Sequence, residues 1–168
     1  YDGFLQDLVV INPQTLSVTH TYPGHYHFEI INNNILITRP INVAAFYISS
    51  IDPTQGLTSL GEVSLPYATN SFPYFVIIDS NTVATQDDVG VKLWNVSNIN
   101  QWQQLSSIAQ TSTISSVMCN GFLVFYNRES DRNRFYVYDV SNASLPVLQN
   151  HCDYPTGLEG DTSVDRLF

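Results

Sequence analysis

Phe135-Tyr136-Val137-Tyr138-Asp139-Val140-Ser141-Asn142 places an aromatic and β-branched run directly before a polar turn. Such residues favour strands, and Asp, Ser and Asn favour turns by bonding their own backbone. The run is apolar at consecutive positions, as expected of a strand covered on both faces of its sheet. The design occurs three times earlier. Leu8-Val9-Val10-Ile11 precedes Asn12-Pro13, and Ala45-Phe46-Tyr47-Ile48-Ser49-Ser50-Ile51 precedes Asp52-Pro53. Val91-Lys92-Leu93-Trp94-Asn95-Val96 precedes Ser97-Asn98. Anchored on Ile11, Ile51, Val96 and Val140, the intervals are 40, 45 and 44 residues. Periods of this size mark repeat architectures.

Smaller units return inside each interval. Ile114 to Met118 reads as an inner strand, Asn120-Gly121 as a tight turn, and Phe122 to Tyr126 as a second strand. A polar loop, Asn127 to Arg134, leads to the anchor strand, and Pro146 to Gln149 supplies a fourth. The preceding repeat gives Tyr74 to Ile78, Thr82 to Thr85, the anchor, then Gln104 to Ile108. Within it, Ile99 to Leu105 also suits a helical turn. Four short strands per repeat is the pattern of a β-propeller blade. The expected fold is therefore all-β: β-propeller blades of four antiparallel strands in an incomplete ring. The alternative is a β-sandwich, which need not repeat in this way. Residues 1–168 read as one partial propeller, with blade ends near residues 22, 66, 108 and 149 and an incomplete last blade.

Two of these strands carry a resemblance. Val91-Lys92-Leu93-Trp94-Asn95-Val96 resembles the third-strand ending of WD-repeat propellers, with Asn95 standing where that family has Asp. Tyr136-Val137-Tyr138-Asp139-Val140-Ser141-Asn142, followed by Leu145-Pro146-Val147-Leu148, is similar to bacterial propeller repeats ending in Val-Asp-Val-Ser-Asn. No Gly-His pair precedes these strands. The resemblance implies a ring of blades used as a binding platform, and no reaction.

Composition points the same way. Charged residues are only 12% of the chain, which leaves little material for exposed helix faces, whereas 10 Tyr and 9 Phe suit strands. The net charge of −9, with Lys92 the single lysine, disfavours nucleic acid and anionic membrane surfaces, both of which are bound through basic residues. No apolar run approaches the roughly 20 residues of a membrane span, so no membrane insertion is expected. Because the first residue is Tyr1, the chain reads as part of something longer. Remaining blades are then expected from the rest of that chain or from oligomerisation, since bare sheet edges invite association.

Catalytic and metal motifs are weak. His20, His25 and His27 cluster, with Glu29 as the single flanking acid, and ordinary strand and loop histidines explain them better than a metal. Asp87-Asp88, Glu159 and Asp161 invite a glycoside-hydrolase reading, but eleven aspartates in a turn-rich chain make such neighbours freely. No catalytic, cofactor or metal residue is assigned, and enzymatic activity is left undecided. Two Asn-x-Ser sequons, at Asn95 and Asn142, are no more than the roughly three that chance supplies from 15 Asn and 30 Ser plus Thr. Cys119 and Cys152 are placed at opposite ends of one blade, hence unpaired, which leans towards a reducing compartment.

The reading is a non-catalytic module or scaffold that recognises a protein, peptide or glycan. A propeller glycoside hydrolase or lyase and a ubiquitin-ligase substrate receptor are the alternatives. Propeller topology puts the connections between blades on one face. Here these are His20 to Tyr26, Pro66 to Tyr74, Ala109 to Thr113 and His151 to Asp161. They carry Tyr22, His25, Tyr67, Tyr74 and Tyr154, and three of the four set tyrosine beside proline. Connections between second and third strands share that face and hold Arg39, Arg128, Arg132 and Arg134. Tyr and Arg concentrate binding energy at interfaces, so these nine residues are the candidate ligand-binding set. The competing reading is that Tyr-Pro stiffens loops and the arginines pair with Glu129, Asp131 and Asp153.

Overall fold

The computed structural model describes residues 7–23, 25–32, 34–40, 45–64, 74–86, 90–109, 113–128 and 133–154. Every regular element among them is a strand. The chain forms two compact units, the first holding residues 1–66 with 98–101, the second residues 67–97 and 102–168.

In the first unit β1 (Leu8–Ile11) pairs antiparallel with β2 (Val18–Tyr22). β3 (His25–Ile31), β4 (Ile35–Pro40), β5 (Ala45–Asp52) and β6 (Gly56–Ser64) form a four-stranded antiparallel sheet in chain order. Consecutive residues Leu36 and Ile37 on β4 are both buried, as are Ala45 and Phe46 on β5. Successive side chains point to opposite faces of a sheet, so both faces are covered here. That is the condition the unbroken apolar runs imply.

The second unit contains two sheets of the same build. β7 (Tyr74–Asp79), β8 (Thr82–Gln86), β9 (Val91–Asn95) and β10 (Gln103–Ile108) make one. β11 (Thr113–Cys119), β12 (Phe122–Arg128), β13 (Asn133–Asp139) and β14 (Val147–Tyr154) make the other. Their innermost strands, β7 and β11, lie against each other. A shared core joins Ala84, Val91, Leu93 and Ile108 to Leu123, Phe125, Tyr136, Tyr138 and Val140. All five residues of β8 are buried, Thr82, Thr85 and Gln86 included. The Trp94 indole N–H donates to Thr85 Oγ1 at 2.7 Å, which satisfies two buried polar groups.

Each four-stranded sheet is a simple meander, with every strand hydrogen-bonded to its sequence neighbour. A sandwich built on Greek keys would pair strands distant in sequence. The fold is therefore an all-β set of four-stranded antiparallel blades, and none of the described sheets closes on itself. Blade-ending strands stop at Tyr22, Ser64, Ile108 and Tyr154.

The turn after each anchor strand is equally repetitive. Asn12 Oδ1 accepts from the Gln14 and Thr15 amides, and Asp52 Oδ1 from those of Thr54 and Gln55. Asn95 and Asp139 accept from Ser97 N–H and Ser141 N–H, each at 2.9 Å. After β9 and β13 a further turn follows three residues on, at Asn98 and Asn142, whose carbonyls accept from Gln101 N–H and Leu145 N–H. This turn settles the segment 99–105: it is a turn leading into β10, not a helix.

Strand boundaries in the last blade differ from expectation: Asn127, Arg128, Asn133 and Arg134, expected in a loop, belong to β12 and β13. The outermost strand of the last blade runs Val147–Tyr154 rather than ending at Gln149. Its second half, Asn150 to Asp153, is exposed, so no apolar pattern announces it. Cys152 consequently sits within β14 opposite Phe135, and not after the strand. Cys119 closes β11 opposite Phe122, and both thiols are free and exposed.

Candidate functional site

Strand register gathers part of the expected set at one end of the β11–β14 sheet. Arg128, Asn133 and Tyr154 form one row across β12, β13 and β14. The next row inward is Thr113, Asn127, Arg134 and Asp153, then comes the row of Ser115, Tyr126, Phe135 and Cys152, and the row after that contains Ser116, Phe125, Tyr136 and His151. Rows two apart share a face, so Arg134 and Asp153 stand on the face of buried Phe125, Asn127 and Tyr136, whereas Arg128 and Tyr154 belong to the alternate row.

Arg134 is the best-defined member. Its Nε donates to Asp153 Oδ1, and its Nη1 approaches Tyr136 Oη at 3.4 Å. Its guanidinium carbon stands 5.8 Å from the centre of the Tyr136 ring. The hydrogen bond to Asp153 chiefly, then that to Tyr136, holds the guanidinium even further above neutrality than usual. Tyr136 stacks on Phe125 at 5.5 Å, and the His151 ring lies 6.1 Å from it. The result is a cation held in fixed orientation on an aromatic base, with a carboxylate and an imidazole exposed beside it.

Tyr22 does something different. At the end of β2 its hydroxyl accepts the Leu57 N–H at 2.8 Å, and its ring stacks on His20. It ties the two-stranded sheet to β6. Gly56 permits the approach: with φ at +83°, a Cβ there would meet Tyr22 Oη at 2.5 Å and His20 Cγ at 2.8 Å.

Arg39 is not in a connection. It lies within β4 opposite His27 and is 3% exposed, because the strand continues to Pro40. His25 likewise opens β3, and Tyr74 opens β7, instead of standing in loops. The side chains of His25, Tyr74, Arg128 and Tyr154 fall outside the described residues, as do Tyr67 and Arg132 altogether. So do Asp87, Asp88, Glu159 and Asp161.

Sequence reasoning passed over Tyr136, His151 and Asn127. Tyr136 and His151 share a face with Arg134 through a pairing between residues 15 apart, and no local pattern encodes that register. Among the described residues, no three of His, Cys, Asp and Glu stand close enough to hold a metal ion. Two carboxyls elsewhere have their acidity set by turns. Side-chain and backbone hydrogen bonds from Thr54 hold the Asp52 carboxyl below its usual range, and those from Ser141 do the same for Asp139.

No known protein family matches the chain, and neither does any curated protein. A solved structure of a protein from Lactobacillus plantarum is similar in fold, with a TM-score of 0.62 at 14% identity over 81% of this chain. The fold is β-propeller-like. The chain spans 45% of that neighbour's length, and similarity at this identity concerns the fold alone.

Proposed function

We propose that this chain is a non-catalytic binding module that recognises a protein, peptide or glycan at the outer end of the β11–β14 sheet. One observation supports the reading: Arg134, Tyr136, His151 and Asp153 cluster on one face at that end of the sheet, with the Arg134 guanidinium beside the Tyr136 ring. An oriented guanidinium beside an aromatic ring offers planar hydrogen bonding and a stacking surface, which suit a carboxylate-bearing peptide or a sugar. The repeats are proposed to be of the WD-like kind. In support, Trp94 in the matching third strand bonds Thr85, and Asn95 and Asp139 cap equivalent turns.

The test is binding to glycan and peptide arrays. Arg132→Ala combined with Tyr154→Ala is expected to abolish retained hits while leaving the melting temperature within a few degrees. Unchanged binding with a clearly lowered melting temperature would assign these residues to loop structure alone.

We further propose that the two-stranded β1–β2 sheet takes up additional strands, from a longer chain or from another copy. β1 follows the repeat of β5, β9 and β13, each of which is flanked by strands on both sides. The groove beside β1 is apolar, about 240 Å³, and lined by Val9, Ile11, Phe28, Ile30, Leu36 and Leu57 among others. Phe28 and Ile30 are about half exposed there, at 51% and 47%.

A further inference from the structure

The two Asn-x-Ser sequons are indistinguishable as sequence, yet the fold treats them very differently. Asn95 is the last residue of β9, half-buried, and paired with Thr82 on one side and Gln103 on the other. Its Oδ1 accepts from both the amide and the hydroxyl of Ser97, at 2.9 and 2.6 Å. Asn142 lies three residues past the corresponding point of its own blade, in the connection between β13 and β14. There Ala143 turns inward: it packs against the core, and its carbonyl accepts the Ser106 hydroxyl at 2.6 Å. The flanking Asn142 and Ser144 both stand exposed, joined by a bond from Ser144 N–H to Asn142 Oδ1 at 3.2 Å.

A second, independent feature adjoins this turn. Leu145 is 67% exposed and Val147 48%, and Phe122, two strands from Val147 in the same row, is 37% exposed. Exposed apolar surface of this kind marks a site that something covers. A bulky, solubilising sugar chain is a chemical group suited to such a turn.

We propose that Asn142 is an N-glycan acceptor site and that Asn95 is not. In the reaction, Asn142 Nδ2 forms a C–N bond to the anomeric carbon of a lipid-pyrophosphate-linked oligosaccharide. The anomeric C–O bond breaks, the lipid pyrophosphate departs and the amide proton passes to base. The glycan then lies over Leu145, Val147 and Phe122. The inference rests on the turn geometry and not on the ligand site proposed above, so either stands if the other fails.

The chain is produced behind a secretory leader in eukaryotic cells, and its intact mass is read before and after treatment with a peptide-N-glycosidase. The expected result is one enzyme-removable glycan, lost in both Asn142→Gln and Ser144→Ala and retained in Asn95→Gln and Ser97→Ala. Ser144→Thr is expected to raise occupancy, and the glycosylated form to bind less of a hydrophobic dye than the deglycosylated one. A glycan mapped to Asn95 overturns the proposal. So does a secreted, folded chain that carries none even with Ser144→Thr.

Discussion

At the scale of single residues, Gly56, Tyr22 and Asp139 make testable contributions. Gly56 combines a left-handed φ with the close approach of His20 and Tyr22. Gly56→Ala therefore adds backbone strain and a collision, together about 2–4 kcal/mol. Chemical denaturation is expected to show a lower midpoint, and an unchanged one would remove the contact between β2 and β6 from the account. Tyr22→Phe deletes only the acceptor for Leu57 N–H, and losing the partner of a part-buried donor costs about 1–2 kcal/mol. The loss from Tyr22→Phe in a Gly56→Ala background should be smaller, because the two act on one contact. Asp139 gives a pH prediction. Its folded carboxyl is more acidic than in the unfolded chain, so its stabilisation is full above the usual value of 3.8 and disappears as pH falls through the folded one. Asn12 and Asn95 make the same turn without a charge. Asp139→Asn is accordingly expected to keep neutral stability and to flatten the loss of stability as pH falls below about 4. A steep neutral-pH loss would mean that the charge, and not the acceptor oxygen, holds the turn.

At the scale of elements, the third strand of each blade was the most legible part of the sequence. β5, β9 and β13 are buried on both faces or nearly so, and that burial leaves consecutive apolar residues and a following Asx turn. The outer strands were harder to read because one flank is open. β14 runs eight residues through His151, Cys152 and Asp153, and its polar half carries no period. Central position predicts stability. Phe125 on β12 is fully buried, stacked on Tyr136 and Tyr138. Phe125→Ala is expected to cost about 3–5 kcal/mol, most of the stability of a domain near the lower end of the ordinary range of about 5–15 kcal/mol. Amide exchange should rank β8 and β12 as most protected and β2 and β14 as least. Equal protection across the four strands of a sheet would contradict the burial pattern. The two cysteines test register within one sheet. Cys119 and Cys152 are three strands and four residues apart, on the order of 20 Å. Bridged cysteines need α-carbons within about 7 Å. Both thiols should react in the native, unreduced protein, and a monomer with neither reactive would place β14 elsewhere.

At the scale of the whole molecule, the architecture was readable because it repeats, whereas the candidate site was readable only in part. The 40-, 45- and 44-residue spacing recurs as strands with the same turn. The Arg134–Asp153 pair is one that the competing reading offers, whereas nothing in the sequence points to Tyr136 as the ring beside Arg134 or to His151 beside that ring. Those contacts depend on strand order and register, which composition does not carry. Arg39 shows the same limit from the other side: the sequence marks a cation near a strand end, and only the length of β4 decides that it is buried. The central claim is that each repeat folds into its own sequentially paired four-stranded sheet. Backbone nuclear Overhauser contacts across strand pairs test it most directly. The account predicts ladders joining β11 to β12, β12 to β13 and β13 to β14, with Phe125 opposite Tyr136 and Tyr136 opposite His151. Contacts that instead pair β11 with β14, or β13 with a strand of another repeat, would contradict it and restore the sandwich.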